Sequence, residues 1–572
     1  MKEKLKILWC GEASTLNTGY AIYAKEVLTR LYNTNKYTIA ELGCYSAIDN
    51  PKRFDIPWRL YSNLPSNQQE SNIYSNNALY QFGEWRFEDV CLDFRPDVVI
   101  DIRDWWMLEF VERSPYRPYY HWAIMPTVDS EPQQEQFIST YLNADAVFTY
   151  SEYGKDVIEK ASHGHVNVLD IASPGADCEA LKPVPNKREH RQQAGFLDDV
   201  TIIGTVMRNQ RRKLYPNLIA SFRKMLDDNK ELQDKTFLYL HTSYPDIGWD
   251  IPALIRQYDM GNHTLITYVC RTCSHFFPSF FQDAKMACPQ CGRPTASPAN
   301  TQMGVTTEQL SSILNWFDLY VQYSICEGFG MPQVEAGACG VPILTVDYSA
   351  MESVAKKLKG ALIDVPNFFW DAPTHSKRAV PDDNDLIKKM LSFIKSPQGI
   401  KDKKGMDAYM GVKKYYTWER TAKIWENYLD TIKKRPLSET WDSEPKIYQP
   451  NTNAPEGLSN EEFVQWVIIN TWREPAKLNS YTALRLLRDL NYGRSIGHTG
   501  GVFYNESSHL SQELKYESFS HKTAIEKMKN MCEKRNYWEK RRVGIDAPPM
   551  PHFVAAAKPD QREISTLTKD KP

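Results

Sequence analysis

Twice along this chain, short, mainly apolar runs alternate with helix-length amphipathic patterns, and a linker rich in proline and charge, Ser173–Gln193, separates the two series. An apolar run without polar alternation offers no face to water, so it reads as a strand covered by helices on both sides of a parallel sheet. The first series opens with Lys6–Cys10, a polar turn ending in Thr18-Gly19, and the helical pattern Tyr20–Tyr32. Strand, glycine turn and helix are the start of a Rossmann-type unit. The series continues through Asp97–Ile102, Tyr119–Met125, the helical Glu131–Asn143 and Ala146–Tyr150. The second runs from Thr201–Met207 through the helix Pro216–Asp228, then Phe237–Thr242, Leu319–Tyr323 and Pro342–Val346. The expected fold class is α/β, with Rossmann-like domains at 1–175 and 176–435, the latter ending in one long helix, Tyr416–Lys434. Residues 440–545 read as a helical appendage, with patterns at Asn460–Thr471 and Tyr481–Leu490, and 546–572 as a disordered tail.

A chain of 572 residues needs more than one core. Lys plus Arg (69) nearly balance Asp plus Glu (71), so no global positive field exists to hold nucleic acid or an anionic membrane. The apolar stretch at the start is too short for a signal peptide or a span, and no long uncharged apolar run follows. The expectation is a cytoplasmic protein without stable membrane insertion. Of the eleven cysteines, four form two C-x2-C pairs, Cys270/Cys273 and Cys288/Cys291, with fourteen residues between the pairs. That spacing is close to a zinc ribbon, here expected as an insert over 268–296. Four thiolates leave no open coordination position, so the ion expected is a structural Zn2+, with no catalytic metal. The insert carries Phe276, Phe277, Phe280 and Phe281. They read as the ribbon's own small core or, alternatively, as a docking surface for a large acceptor.

The stretch Cys326–Leu344, CEGFGMPQVEAGACGVPIL, puts glycines where a strand meets a helix. Backbone can approach a ligand there, and the helix N-terminus suits a diphosphate. Glu335 would lie about two helical turns beyond Glu327, within reach of ribose hydroxyls. Such a turn is also an ordinary tight connection. The complete string, however, resembles the E-x7-E signature of family 4 retaining glycosyltransferases, including the trailing Ala-Cys-Gly-Val-Pro. Arg208 and Lys213 match that family's Arg-x4-Lys pair, Thr18-Gly19-Tyr20 its first glycine turn, Ser173–Asp177 its hinge and Tyr416–Lys434 its closing helix.

The resemblance covers roughly residues 1–435 and implies the GT-B arrangement: an N-terminal acceptor domain and a C-terminal nucleotide-sugar domain facing a cleft. It further implies a hexosyl- or pentosyltransferase that retains anomeric configuration and uses a nucleotide-diphosphate sugar, a UDP-sugar first of all. The donor residues it implies are Gly19, Arg208, Lys213, Glu327, Gly328, Phe329, Gly330 and Glu335, with Arg208, Lys213 and Glu327 also serving catalysis. Where the family has a His-Asp or His-Asn step this chain has Val128-Asp129, so the familiar histidine is missing. Asp129, with His121 and Glu131 beside it in the list of candidates, would orient the acceptor hydroxyl; a helix N-cap is the other reading of Asp129. Asp382-Asp383-Asn384-Asp385 precedes the helical run Leu386–Ile394 and reads as capping rather than as a metal motif.

The ribbon and the appendage lie outside the resemblance. They read as grips for a macromolecular acceptor, DNA among the candidates, and the arrangement is similar to viral glycosyltransferases that act on modified DNA bases, which would place the protein in a host cytoplasm. On that reading residues 441–572 are removable without loss of donor hydrolysis. The run His521–Arg542, with Tyr537 and Trp538, would contact phosphates or form a solvated helix face. Alternatives are synthesis of a small glycoside or cell-surface glycan, a sugar-nucleotide epimerase, and a non-catalytic binding protein on the same scaffold.

Overall fold

A computed structural model describes residues 4–282, 285–300, 303–433, 435–472, 481–496 and 516–545. The expected tail, 546–572, lies outside the described residues, as does Lys434 at the end of the expected closing helix.

The first domain is built on a seven-stranded parallel sheet in the order β3-β2-β1-β4-β5-β6-β7. Its strands are β1 (Leu5–Glu12), β2 (Tyr37–Cys44), β3 (Arg59–Ser62), β4 (Val98–Asp101), β5 (His121–Ile124), β6 (Ala146–Thr149) and β7 (Val168–Ile171). The strands read from apolar runs are central; β2, β3 and β7 escaped that reading. In β2 the run is broken by Glu41, which is fully buried and accepts from the Ser14 amide at 2.6 Å, the Ser14 hydroxyl at 2.7 Å and Trp58 Nε1 at 3.0 Å. A buried carboxylate so provided for is tolerated in a core strand. Burial pushes its pKa up.

The second sheet has β8 (Thr201–Val206), β9 (Thr236–His241), β10 (Thr264–Cys270), β11 (Phe276–Phe280), β12 (Ala296–Pro298), β13 (Leu319–Gln322), β14 (Ile343–Val346) and β15 (Ala361–Ile363). Its order is β11-β10-β9-β8-β13-β14-β15, with β12 on β10. β8, β9, β10, β13, β14 and β15 are parallel, whereas β11 and β12 run antiparallel to β10. The cysteine segment therefore grows out of the sheet rather than forming a separate insert. Its phenylalanines pack on the domain: Phe276 stacks on Trp316 at 5.8 Å and Phe277 on Tyr268 at 5.8 Å. They fasten the segment in place, and only Phe280 counts as exposed.

A two-stranded hairpin, β16 (Asn367–Asp371) and β17 (Ser376–Val380), follows the second sheet. Asp382 caps the helix Asp383–Ile394, accepting from the Asn384 and Asp385 amides, as expected. Gln398–Tyr415 is a further helix that the sequence did not reveal, and the closing helix is Trp418–Thr431. The closing helix returns to the first domain: Trp425 Nε1 donates to the Tyr23 hydroxyl at 2.8 Å, and Arg30 meets Glu419 at 2.7 Å. At the hinge a Cβ on Gly175 would lie 2.4 Å from the Trp418 amide, so no larger residue fits where the chains cross.

In the appendage, the helices Asn460–Trp472, Tyr481–Asn491 and His521–Arg542 share a small core that includes Phe463, Leu486, Phe519 and Met528. The last helix keeps a solvated face at Lys522, Glu526, Lys529 and Asn530, but its C-terminal end is packed away and not free for phosphate. Tyr537 and Trp538 are buried with Trp441 against Tyr116 and Tyr119 of the first domain. Tyr116 donates to the Trp538 carbonyl at 2.8 Å, Trp441 Nε1 to the Pro96 carbonyl at 2.9 Å, and Arg541 pairs with Asp89 at 3.1 Å. Pro96 and Tyr116–Tyr120 precede β4 and β5, so this docking lies at the entry ends of the strands. Among the described residues no helix is long and apolar enough to cross a membrane.

Candidate active site

Loops from the exit ends of both sheets converge. The turn after β1 leads into the helix Gly19–Asn33, the loops after β4 and β5 carry Asp104 and Thr127–Glu131, and those after β8 and β13 carry Arg208–Lys213 and Cys326–Gly330. In open α/β sheets this is where ligands bind. The two sides meet closely: a Cβ on Gly328 would lie 2.4 Å from Thr127 Cγ2, which only glycine avoids, and one on Gly19 would lie 3.5 Å from Met331 Sδ.

Of the expected donor residues on the second domain, Lys213 and Glu327 come together. Lys213, 6% exposed, makes a direct ion pair with Glu327, which is equally buried. Burial, with the Arg212 charge beside it, pushes the Lys213 ammonium well down. Glu327 is held in turn by its amide donating to Ser349 Oγ at 3.0 Å. Gly330, at a φ of 84°, caps the helix Met331–Ala338 without any side-chain bond, leaving the first turn open. Phe329 is buried edge-on against Tyr416 at 5.6 Å, so its side chain belongs to the closing segment and its backbone to the loop. Glu335 has no hydrogen-bond partner among the described residues, and burial raises its pKa to about 7. Arg208 is 49% exposed and forks onto Asp246 through Nε at 2.9 Å and Nη2 at 3.1 Å.

On the first domain, Asp129 does not cap a helix; the nearest, Glu135–Asn143, has Gln134 at its N-cap. Its carboxylate meets Arg378 of β17 at 2.7 Å and accepts from Ser130 at 2.8 Å and from the Cys326 thiol at 3.3 Å. Burial alone would raise the Asp129 pKa, but the Arg378 guanidinium and these hydrogen bonds hold it below the usual value. The hairpin thus laces the domains together, with the Lys377 amide donating to the Glu131 carbonyl at 2.8 Å and Gln134 Nε2 to the Thr374 carbonyl at 2.8 Å. A cavity of about 410 Å³ lined by Pro132, Gln133, Gln134, Glu135, Gln136 and His375 flanks it. The Glu131 carboxylate is taken by Lys160 at 2.9 Å. His121 is the first residue of β5, at the end away from the cleft, with Nε2 3.1 Å from the Lys433 carbonyl; the acceptor role considered for it is excluded by its position.

Three groups were missed in the sequence. Asp104 lies 3.3 Å from the Tyr20 hydroxyl, which is 2.5 Å from Thr127 Oγ1. Burial raises the Asp104 pKa to about 6, and this carboxyl sits beside the glycine loop. Glu12, bonded by the Thr18 hydroxyl, is raised by burial, and the Arg208 charge lowers it. Arg378 became visible only once the hairpin was placed. Acidic residues directly after strand ends were the available signal for the two carboxylates, but it is common in loops.

The four cysteine sulfurs lie within 4.8 Å of one another, with Cys270 to Cys291 and Cys273 to Cys288 both at 3.7 Å. A tetrahedral zinc with thiolates at about 2.3 Å separates its sulfurs by about 3.8 Å. The cluster has the geometry to hold such an ion.

Residues 299–371 match the family described as "Glycosyl transferases group 1". No curated protein matches the sequence. Among solved structures, sucrose-phosphate synthase from Thermosynechococcus elongatus is 15% identical with a TM-score of 0.54, covering 75% of this chain and 99% of its own. The HepE protein of Anabaena in complex with UDP and glucose is 12% identical with a TM-score of 0.51, over 75% of this chain and all of its own (100%). The E. coli trehalose-6-phosphate protein bound with UDP-2-fluoro glucose gives 13%, a TM-score of 0.51 and the same coverages, 75% and 100%. The fold is thus that of GT-B proteins, and with the group 1 segment built around the second-domain loop, this chain is a glycosyltransferase.

Proposed function

We propose that the cleft binds a UDP-sugar and transfers its sugar, with retained configuration, to a hydroxyl of a macromolecular acceptor. The observation that carries the donor half is the buried Lys213–Glu327 pair in the loop that opens the helix Met331–Ala338, with Glu335 partnerless among the described residues on that helix and Arg208 on the loop that leads to Lys213. Desolvated donors and acceptors without partners are costly, so a half-buried carboxylate lacking one fits a site completed by ligand hydroxyls. Backbone amides at Gly328, Phe329 and Gly330 would take phosphate oxygens, and Gly19 gives them room from the other side. The choice of UDP draws on the ligands of the structural neighbours, and retention on the family resemblance. Residues 1–175 then serve as the acceptor domain and 176–435 as the donor domain. Asp129, clamped by Arg378, orients the acceptor rather than taking its proton, because its pKa is held down. DNA remains within the proposed acceptor class, as does a cytoplasmic setting. A panel of UDP-sugars, with release of UDP and mass gain of the acceptor measured, tests the whole reading.

Glu335 gives a pH signature. Ribose hydroxyls donate to a carboxylate better than to its protonated form, so UDP selects the charged state of a group that titrates at about 7. Affinity for UDP is expected to rise as pH increases through that value and then level off. Calorimetry across about two pH units should show the rise in wild type and its loss in Glu335→Gln.

The cysteine cluster is proposed to hold one structural Zn2+, bound by Cys270, Cys273, Cys288 and Cys291. Elemental analysis is expected to find one zinc per chain, and Cys273→Ser to release it and lower the stability of the second domain. A metal-free wild type of undiminished stability would contradict this.

A further inference from the structure

Arg208 is fixed by a neighbour that no donor motif contains. Asp246, whose side chain is 3% exposed, receives both Nε and Nη2 of Arg208 and also accepts from the Ser243 hydroxyl and, at 2.8 Å, from the Ile247 amide. The next residue, Asn209, is locked to the same loop: its side-chain Nδ2 donates to the Trp249 carbonyl at 2.8 Å, and the Trp249 backbone amide returns a bond to Asn209 Oδ1 at 2.8 Å. The loop is fastened from its other side by the cysteine segment. The Tyr244 amide donates to the Ala299 carbonyl at 3.0 Å, and the Tyr244 ring meets Phe281 edge-on at 6.0 Å. Ala299 directly follows β12, which pairs along β10 as far as Cys270.

We propose that Asp246 is a positioning residue that aims Arg208 at the donor phosphates, and that the cysteine segment keeps Asp246 in place through Phe281 and Ala299. This rests on the reading of Arg208 as a donor cation. A half-exposed arginine on a flexible stem would otherwise have to be ordered by the substrate itself, whereas a bidentate carboxylate fixes its planar fork beforehand. Electrostatic stabilisation of a leaving group depends on such prior orientation.

Two measurements decide it. The Arg208 Nε–H resonance, identified by its loss in Arg208→Lys, is expected to shift toward a free guanidinium in Asp246→Asn and to move in Phe281→Ala, which touches no cysteine. An unmoved signal in Asp246→Asn overturns the proposal, and one unmoved in Phe281→Ala overturns the link to the cysteine segment. In single-turnover hydrolysis of UDP-glucose, Asp246→Asn is expected to slow the rate about tenfold alone but less than about twofold in an Arg208→Ala background, since residues acting through one another are not additive. Equal losses in both backgrounds would show that Asp246 acts on the fold and overturn the proposal. If wild type releases no UDP while the resonance moves as expected, the donor reading fails and the positioning contact stands.

Discussion

Arg208→Ala is expected to slow departure of the nucleoside diphosphate by about a hundredfold or more, and Lys213→Ala by at least as much. Charge accumulates on the leaving phosphate as the glycosyl bond breaks, so fixed cations count for more in the transition state than in the bound substrate. The two substitutions differ in what else they disturb. Arg208 is half exposed, and its partner Asp246 keeps the bonds from the Ser243 hydroxyl and the Ile247 amide when Arg208 is removed, so the cost to folding is the smaller. Lys213 is buried against Glu327, so its removal strands a carboxylate and costs about 3–5 kcal/mol of stability as well. Single-turnover kinetics on Arg208→Ala therefore give the cleaner reading, and Lys213→Ala must first be shown to be folded. Normal rates in both would mean that the phosphates bind elsewhere.

Trp538→Ala is expected to destabilise the protein by about 3–5 kcal/mol, the range for emptying a buried aromatic site. The side chain is 1% exposed, packed edge-on against Tyr116 at 6.2 Å, in the same cluster as Trp441. Denaturant unfolding measures it directly, and a loss below about 1 kcal/mol would show that the docking seen here is marginal. The same packing changes what a truncation can tell. Removing residues 441–572 strips Trp441, Tyr537 and Trp538 from the first domain's core, so the truncated chain is expected to unfold rather than to retain donor hydrolysis. The expectation of a detachable module fails because apolar residues in the last helix belong to another domain's core.

The central strands of both sheets were legible because each is mainly apolar and buried on both faces, as in Val98–Asp101 and Ile343–Val346, and parallel sheets demand that. β2 and β7 were not, since Glu41 is buried with partners that lie elsewhere in sequence and Val168–Ile171 is half exposed. The proposed donor residues were legible because they cluster in two short strings, Arg208–Lys213 and Glu327–Glu335, each on a single loop or helix. The proposed acceptor side was legible only in part, at Asp129 and the Tyr20 turn, because Asp104 and Arg378 join them from separate segments. The four cysteines were legible as a cluster from spacing alone, yet their place at the tip of a core strand was not, because β10 serves the parallel sheet and the cysteine segment at once.

The central claim is that this cleft holds a nucleoside diphosphate sugar through Arg208, Lys213 and Glu335. The most direct measurement is single-turnover release of UDP from a panel of UDP-sugars by wild type, Arg208→Ala and Glu335→Ala, all checked for folding. Release by wild type, slowed about a hundredfold in Arg208→Ala and requiring at least about tenfold more UDP-sugar in Glu335→Ala, is the result the account predicts. Equal release by the three proteins, or none by wild type with any UDP-sugar, would contradict it.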